Sequence, residues 1–476
     1  MYLPDLVVRS RRVVTRDGVT PVALHIRGGR IIGVLDFENV PEGCPVDDAG
    51  DLVVMPGVVD THVHVNASAS GDGHAFEQTT RAAAAGGITT IVDMGPAGRP
   101  TASVSALEQK RRAAEGHCAV DVGFCGGIAP GNSHELGPLA QEGVFAFACT
   151  FASPAVDGAE AVTETDLRTA MPVLTRIGAM LMVHGELPGP LERAVGGQSS
   201  SMGLLDRLMW SVRGGREYTR FLETHPKEAE TEAVLRLLEL CREYRTRTHI
   251  VNLSSSDTLT PIFHARAARL PVTVETCPHY LFFVAEEVQD GATALKCVPP
   301  IRERVNRELL WGALSGGLIQ MVASDHSPPP AGFNGVKSRN FARAWGGITS
   351  LQLSLPALWT VASARGHTVN QLAAWMCRAP ARIVGIERKG DIDVGYDADL
   401  VIWNPDAEFT VDAATLVDAR ASSPYAGCSL RGVVARVYLR GNVIQQQGRP
   451  IEQTMGRLLR RHSAGRPSPP HTWVTT

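Results

Sequence analysis

Two histidines spaced two residues apart, His62 and His64, end an apolar run that begins at Met55. Side chains alternate along a β-strand, so residues i and i+2 point to the same side and both imidazoles would leave one strand end together. Two imidazoles on a rigid strand form half of a site for zinc or another first-row divalent metal. The alternative is a pair of ordinary surface or core histidines.

Two further polar residues also end apolar runs. His184 follows residues 179–183, and Asp325 follows residues 321–324. Taken alone, His184 is compatible with a hydrogen-bonded core histidine, and Asp325 with the N-cap of a following helix. Together with the first two histidines, they supply imidazoles and a carboxylate, which are ligands that suit Zn²⁺. This order and spacing predict a metal site.

The length is too great for one small core, and the composition is that of an ordinary globular protein. The chain has 476 residues, of which 44% are hydrophobic and 20% charged, enough for a barrel and a lesser domain. The net charge of −3 gives no reason to expect nucleic acid or a membrane surface as a partner. The nine cysteines lack CxxC pairs, and the N-terminus lacks a secretory pattern. We therefore expect a cytoplasmic protein with reduced thiols.

The middle of the chain alternates between short apolar runs and helix-like stretches. This rhythm predicts an α/β fold, a (β/α)8 TIM barrel over residues 54–387, with its chemistry at the C-terminal strand ends. A doubly wound open sheet is the alternative, although no GxGxxG motif follows an early strand. The eight predicted strands are residues 54–60, 88–93, 119–124, 144–151, 179–184, 247–253, 271–276 and 319–325.

Both ends of the chain have the alternation that is typical of β-strands. Residues 1–53 contain short β-rich runs separated by turn signals, and the same rhythm returns in residues 388–454. We predict that the two segments form one discontinuous β domain. Residues 455–476 carry arginines and then prolines, and we expect a mobile, arm-like tail.

The sequence resembles the cyclic amidohydrolases of the amidohydrolase superfamily, and within them the allantoinases. The resemblance implies a distorted (β/α)8 barrel with a β-sandwich made from both termini, and hydrolysis of an amide C–N bond in a small molecule. We also expect a homo-oligomer, a dimer or a tetramer. The matching motifs are MPGVVDTHVHVN (55–66), TRAAAAGGITTIVDM (80–94), VETCPHYL (274–281), KCVPPIRE (296–303), SDHSP (324–328), AWGGITSLQLSLPALW (344–359) and VGYDADLVIWNPDAEFTV (394–411).

The family pattern is a two-metal site, and the sequence departs from it at two positions. In the family, a carboxylated lysine from strand four bridges the metals, and histidines from strands five and six hold the second one. Here Ala148 stands at the lysine position and Asn252 at the strand-six histidine position. His249 lies three residues upstream of Asn252, and we expect it not to substitute because opposite strand parity would point it away from the barrel mouth.

Both substitutions affect the second metal or its bridge, so we predict one divalent metal ion, with Zn²⁺ as the expected species. The remaining set resembles the one-metal branch of the superfamily, which includes adenosine and cytosine deaminases. Asp325 is the predicted general base and acid. The predicted metal ligands are His62, His64, His184 and Asp325, and the predicted substrate-binding residues are Asn66, Asn252 and His279. A structural role for His279 is an equal alternative.

Two loops at the predicted barrel mouth differ from the family pattern. Residues 67–73 read ASASGDG where the family has a Glu-Pro-Gly-Arg type of loop, and residues 94–98 read MGPAG where it has Met-Pro-Leu-Asn. Smaller side chains would widen the pocket, so we expect that allantoin is not the substrate. Plain glycine-rich turns are the alternative.

Three function hypotheses remain open at this point. The first is an amidohydrolase with a mononuclear site, acting on a cyclic amide or another amide. The second is a non-catalytic homologue of allantoinase or dihydropyrimidinase. The third is a mononuclear deaminase, with Glu186 as the proton shuttle two residues after His184. Metal analysis separates the first from the second, and ammonia release separates the third from the first.

Overall fold

Eight parallel strands form a closed barrel in a computed structural model that describes residues 3–66, 73–95, 100–151, 161–199, 214–330, 333, 338–418 and 422–461. The third and fourth strands are joined by backbone hydrogen bonds such as Phe145 N to Phe124 O, 2.9 Å, and the barrel closes where Val63 bridges His326. The predicted barrel is therefore confirmed. Its strands are Val58–Val63, Ile88–Asp93, Asp121–Phe124 with its extension Gly126–Gly127, Phe147–Thr150, Met180–His184, Arg247–Val251, Val272–Thr276 and Met321–Val322.

Helices connect these strands and cover the barrel. The helix Glu164–Ile177 illustrates the local logic, since Thr163 and Asp166 form a capping box at its start and Gly178 ends it in a left-handed conformation. None of the described helices is long and apolar enough to cross a membrane. The helices are His74–Ala85, Val104–Ala114, Leu136–Gln141, Glu164–Ile177, Pro188–Ser199, Tyr218–Thr224, Lys227–Tyr244, Leu259–Ala267, Pro278–Phe282, Arg304–Ser315, Ser354–Ala364, Val369–Ala373 and Ala379–Val384, with a π-helical turn at Ala374–Arg378.

The two ends of the chain share one nine-stranded mixed sheet, as predicted. Its centre is the strand Val53–Pro56, which runs antiparallel to Leu400–Thr410 and parallel to Leu6–Thr15. The remaining strands are Gly18–Arg27, Arg30–Asp36, Val46–Asp48, Ser429–Leu439, Asn442–Gln446 and Arg449–Pro450.

The prediction that residues 54–60 form a single barrel strand is wrong. Val53–Pro56 belongs to the terminal sheet, and the barrel strand begins at Val58. Gly57 separates the two strands, and a Cβ atom there would lie 2.2 Å from Thr89 Oγ1. Glycine is therefore required where the chain passes from the sheet into the barrel.

The segment 455–461 is attached to the barrel, so the expectation of a mobile arm is wrong for these residues. Leu458 bridges Val122, Leu459 N donates to Val122 O over 2.8 Å, and Arg461 N donates to Gly143 O over 2.8 Å. The proline-containing residues 462–476 lie outside the described part of the chain.

Apolar side chains fill the barrel interior below the strand ends. The cluster contains Val59, Val92, Met180, Met182 and Met321, all almost fully buried. Packed side chains close the barrel below the polar residues at the C-terminal strand ends. These polar residues are therefore open to ligands only from the C-terminal end of the barrel.

Candidate active site

Three of the four predicted metal ligands meet at the barrel mouth. His62 Nε2 lies 3.3 Å from Asp325 Oδ1, and His64 Nε2 lies 3.8 Å from the same oxygen. One ligand atom from each of the three residues lies within 4.8 Å of the other two. The first and last strands of the barrel are neighbours, so closure of the barrel brings these residues together although they are far apart in sequence.

Two left-handed residues shape the strand ends around this cluster. Asn252 follows the sixth strand with φ of 41°, and Asp325 follows the eighth with φ of 47°. Asn and Asp tolerate this region better than most residues, because their short side chains can hydrogen-bond locally. Asn252 Nδ2 donates to Asp325 Oδ2 over 2.9 Å, so the two turns hold each other's side chains in place.

The outer ring nitrogens of both histidines are fixed by acceptors. Glu275 Oε1 lies 2.5 Å from His62 Nδ1, and the Gly95 carbonyl oxygen lies 2.7 Å from His64 Nδ1. Since a carbonyl oxygen can only accept, His64 carries its proton on Nδ1, and the carboxylate favours the same tautomer in His62. Both Nε2 atoms therefore face Asp325, which is the arrangement that metal-ligating histidines need.

Glu275 contacts the candidate site, and the sequence analysis did not single it out. It is fully buried, its second oxygen lies 3.0 Å from His249 Nε2, and its first oxygen accepts Asn252 N over 3.3 Å. Burial opposes ionisation, but His62 and His249 lower the pKa of Glu275 to about 2. A glutamate inside the apolar run 271–276 was the available signal, because a buried carboxylate requires partners.

The carboxylates make this position favourable for a cation. Burial opposes protonation of His62, but the charges of Asp325 and Glu275 raise its pKa to about 9. For His64, burial and the neighbouring His62 lower the pKa. The two carboxylates thus stabilise positive charge on His62, whereas burial and the neighbouring His62 oppose it on His64.

Asp60 connects the first and eighth strands beneath the site. Its carboxylate accepts Ser324 N over 3.2 Å and His62 N over 3.2 Å. Burial raises the pKa of Asp60 to about 6, against these hydrogen bonds. The loop that carries Asp325 is therefore tied directly to the strand that carries His62.

The structure does not bring His184 into the cluster of three ligands. Its Nδ1 lies 3.2 Å from Asn252 Oδ1, and its Nε2 lies 3.2 Å from Glu186 Oε2. Because both partners accept, the ring is set up as an imidazolium. Burial opposes this charge, but Glu186 raises the pKa of His184. A role as fourth ligand requires His184 to give up one of these contacts.

The surroundings of Ala148 are apolar. It belongs to the interior cluster that also contains Met94, Cys125 and Met182. His249 lies inside the barrel, with Nδ1 2.8 Å from Thr273 Oγ1. Strand parity predicted that this ring points away from the barrel mouth, whereas His249 is connected to the site through Glu275. His249 is not part of the three-ligand cluster found among the described residues.

The other predicted substrate-binding residues occupy different positions around the mouth. Asn66 Nδ2 donates to the Pro328 carbonyl oxygen, which ties the loops after the first and eighth strands together. His279 is fully buried, and burial lowers its pKa to about 4, so the ring is neutral. Ligand atoms of His279, Cys277 and Asp325 lie within 4.8 Å of one another. Residues 67–72 and 96–99, which contain most of the two mouth loops, lie outside the described residues.

The residues present fit a divalent metal. Two imidazole Nε2 atoms and one carboxylate oxygen converge, and each histidine is oriented from its far side. Three protein ligands with further positions open is the pattern of a catalytic rather than a structural zinc site. His62, His64 and Asp325 would hold such an ion.

Comparison with known proteins gives a consistent family assignment. Residues 53–444 match the Amidohydrolase family. The chain is 44% identical to the allantoinase of Streptomyces avermitilis over 460 residues, which cover 96% of this chain and 99% of that one. It is 36% identical to the allantoinase of Arabidopsis thaliana, covering 95% of this chain and 90% of that one. The solved L-hydantoinase (dihydropyrimidinase) of Arthrobacter aurescens superposes with a TM-score of 0.86 at 28% identity, covering 96% of this chain and all of that one. The chain belongs to the amidohydrolase family as a cyclic amidohydrolase of the allantoinase and hydantoinase type, a class of hydrolases that act on carbon–nitrogen bonds other than peptide bonds.

Proposed function

We propose that this protein opens a five-membered cyclic ureide or hydantoin ring by hydrolysis of one ring C–N bond, using a single divalent metal ion held by His62, His64 and Asp325. The observation that carries the proposal is the direction of the two histidines, whose Nδ1 partners turn both Nε2 atoms toward Asp325. The substrate class follows from the relatives, which are named allantoinases and a hydantoinase.

Asp325 is placed to move the proton that the reaction requires. A bound divalent metal supplies polarisation of the scissile carbonyl and a lowered pKa of water at the site. Asp325 Oδ1 faces the two histidines, while Oδ2 is held by Asn252. We infer that this carboxylate takes the proton from the attacking water and gives it to the leaving ring nitrogen.

Asn252 is better suited to positioning the Asp325 carboxylate than to binding the substrate. Its amide nitrogen is used by Asp325 and its amide oxygen by His184, so both ends of the side chain are already engaged. His279 stays a candidate for substrate binding, because its neutral ring lies beside Asp325 and neither ring nitrogen has a hydrogen-bond partner among the described residues.

The identity of the ring substituent is a separate question. Full-length similarity to proteins named allantoinase makes allantoin the first substrate to test. The sequence-based expectation that allantoin is not the substrate depends mainly on residues 67–72 and 96–99, which lie outside the described part of the chain, and it stays a prediction. The expectations of a homo-oligomer and of a cytoplasmic location also stay predictions.

A ring-opening assay tests the proposal. Zinc-loaded protein is offered allantoin, hydantoin, dihydrouracil and an open-chain N-acyl amino acid, with product and ammonia measured separately. We expect ring opening of a hydantoin-type substrate without ammonia, and loss of turnover in Asp325→Asn with the fold intact. Ammonia as the product would favour a deaminase with Glu186 as its shuttle. A metal-loaded protein that turns over none of these rings would favour the non-catalytic homologue.

A further inference from the structure

A cavity lies at the end of the barrel away from the candidate active site. It measures about 560 Å³ and is bordered by the turns at Gly28–Gly29 and Arg440–Gly441. Arg440 pairs with Asp121, the first residue of the third barrel strand. His64 and Asp325, in contrast, follow the last residues of their strands. The cavity is therefore separate from the chemistry at the C-terminal strand ends.

The cavity carries an excess of positive charge on a chain whose net charge is −3. Its only lining carboxylates among the described residues are Asp5 and Asp397. The cationic lining residues are Arg30, Arg388, Arg440 and Arg457. Asp121, which lies outside the lining, pairs with Arg440, so the other three arginines meet two carboxylates and one positive charge is in excess.

Arg440 is the structural member of this group. Its Nη1 contacts Asp121 at 2.5 Å and its Nη2 donates to the Met455 carbonyl oxygen over 2.5 Å, so the guanidinium is fully engaged. The side chain is 11% exposed, which agrees with a role in joining the sheet to the barrel. A ligand would meet the other three arginines.

The other three guanidiniums have few partners. Arg388 Nε lies 3.5 Å and Arg30 Nε 4.0 Å from the same Asp397 oxygen. That carboxylate also contacts Lys389 Nζ at 3.0 Å, so it cannot neutralise all three cations. The guanidinium of Arg457 has no carboxylate within 4.0 Å in the described part of the chain. Arg30, Arg388 and Arg457 therefore line the cavity with fewer carboxylate partners than positive charges.

The glycine turns leave room for a ligand beside the backbone. At Gly28, with φ of 55°, a Cβ atom would meet nothing within 4 Å, whereas at Gly29 it would lie 2.9 Å from Arg440 Cβ. Gly29 thus lets the two turns pack together, and Gly28 opens onto the cavity. The only apolar side chains lining it among the described residues are Leu6 and Ile26, so no aromatic ring is present to stack on a base.

We propose that this cavity binds a compact phosphate-bearing anion. A phosphate group carries close to two negative charges at neutral pH, and the lining offers it a net positive charge. Guanidinium groups bind phosphate oxygens through paired N–H donors, and three arginines of the lining besides Arg440 carry such a group. The ligand joins residues of the N-terminal strands, the end of the barrel and the C-terminal segment, so binding stabilises the junction between sheet and barrel.

Isothermal titration of the intact protein tests the proposal at constant ionic strength. The probes are inorganic phosphate, fructose 1,6-bisphosphate as a phosphate ester, and tricarballylate as a carboxylate anion. We expect saturable binding of at least one phosphate probe, together with a rise in the melting temperature. Binding of inorganic phosphate alone would identify the free ion as the ligand, and preference for the ester would identify a phosphorylated metabolite. Absence of saturable phosphate binding, or equal binding of tricarballylate, overturns the proposal.

Charge-matched variants separate this site from the metal centre and from general attraction. Arg30→Gln with Arg457→Gln should weaken phosphate binding about tenfold or more, because two charge-assisted contacts are lost. The control, Arg11→Gln with Arg112→Gln, removes two exposed arginines elsewhere and should leave the affinity unchanged. Equal weakening by both pairs overturns the proposal. If the Arg30→Gln, Arg457→Gln protein proves unstable, the single variant Arg30→Glu should still abolish phosphate binding. Unchanged phosphate affinity in Arg30→Glu also overturns the proposal.

Discussion

Replacing Glu275 by Gln removes one negative charge from beneath the proposed metal without changing the size of the side chain. Glu275 Oε1 lies 2.5 Å from His62 Nδ1, and the whole residue is buried. The glutamine oxygen can still accept from His62, and its amide nitrogen can donate to His249 if that ring shifts its proton toward Thr273. The variant therefore isolates the charge from the geometry.

The expected loss follows from the role of a carboxylate behind a ligating histidine. The charge of Glu275 makes His62 a better donor to a cation, and changes to such partners weaken metal binding by about 10- to 100-fold. This corresponds to about 1.4 to 2.7 kcal/mol in the free energy of binding. Zinc affinity of Glu275→Gln is measured by competition with a chromophoric chelator, with circular dichroism to verify the fold.

Glu230→Gln is the matched control at pH 8, because this buried glutamate, whose pKa burial raises to about 7, is mostly ionised there and the change removes its charge. Glu230 accepts Ser254 N over 2.8 Å and Ser255 N over 2.9 Å, and it does not belong to the ligand cluster. Its variant should leave zinc affinity unchanged. We expect Glu275→Gln to weaken zinc binding at least tenfold. A folded Glu275→Gln variant whose zinc affinity stays within about threefold of the wild type would therefore refute the proposed role of the Glu275 charge.

Three further predictions concern the ligand set and the buried charges. Ala148→Lys combined with Asn252→His should raise the metal content from about one per chain toward two, while either change alone should do little. Elemental analysis measures the metal content, and a double variant that stays at one metal per chain contradicts the prediction. His184→Gln should keep its metal whereas His62→Gln should lose it, because only His62 lies in the ligand cluster; equal loss in both would mean that His184 is a ligand. Burial raises the pKa of Glu230 from 4.5 to about 7. Between these two pH values the folded chain keeps a proton on Glu230 that the unfolded chain releases. The free energy of unfolding should therefore fall as the pH rises from about 4.5 to about 7. Glu230→Gln should remove this loss, about 3 kcal/mol at most, in chemical denaturation at pH 5 and pH 8, and identical pH profiles for the two proteins would contradict it.

The fold was largely predictable because each element has a local signature. Eight apolar runs separated by helix-like stretches predict the barrel strands, and the alternation at both termini predicts the shared sheet. The boundary at Gly57 was not predictable, because apolar residues continue on both sides of it, from Val53 to Val59. What separates the two strands is the close approach of Thr89, a contact between distant parts of the sequence.

The site was predictable in its ligands but less so in its connections. His62, His64 and Asp325 could be found because each ends an apolar run. The positions of His184 and His249 depend on Asn252 and Glu275, which reach them only after the barrel has closed. The partner of His64 is a backbone carbonyl oxygen, which has no sequence signature.

The central claim is that one divalent metal at His62, His64 and Asp325 supports ring opening. The most direct measurement adds zinc stepwise to metal-free protein and records bound metal and hydantoin or allantoin hydrolysis in the same samples. We predict that hydrolysis rises linearly and reaches its plateau at about one equivalent of zinc per chain, and that His62→Gln gives no activity at any ratio. A plateau at two equivalents, or a protein that fails to bind zinc, would contradict the account.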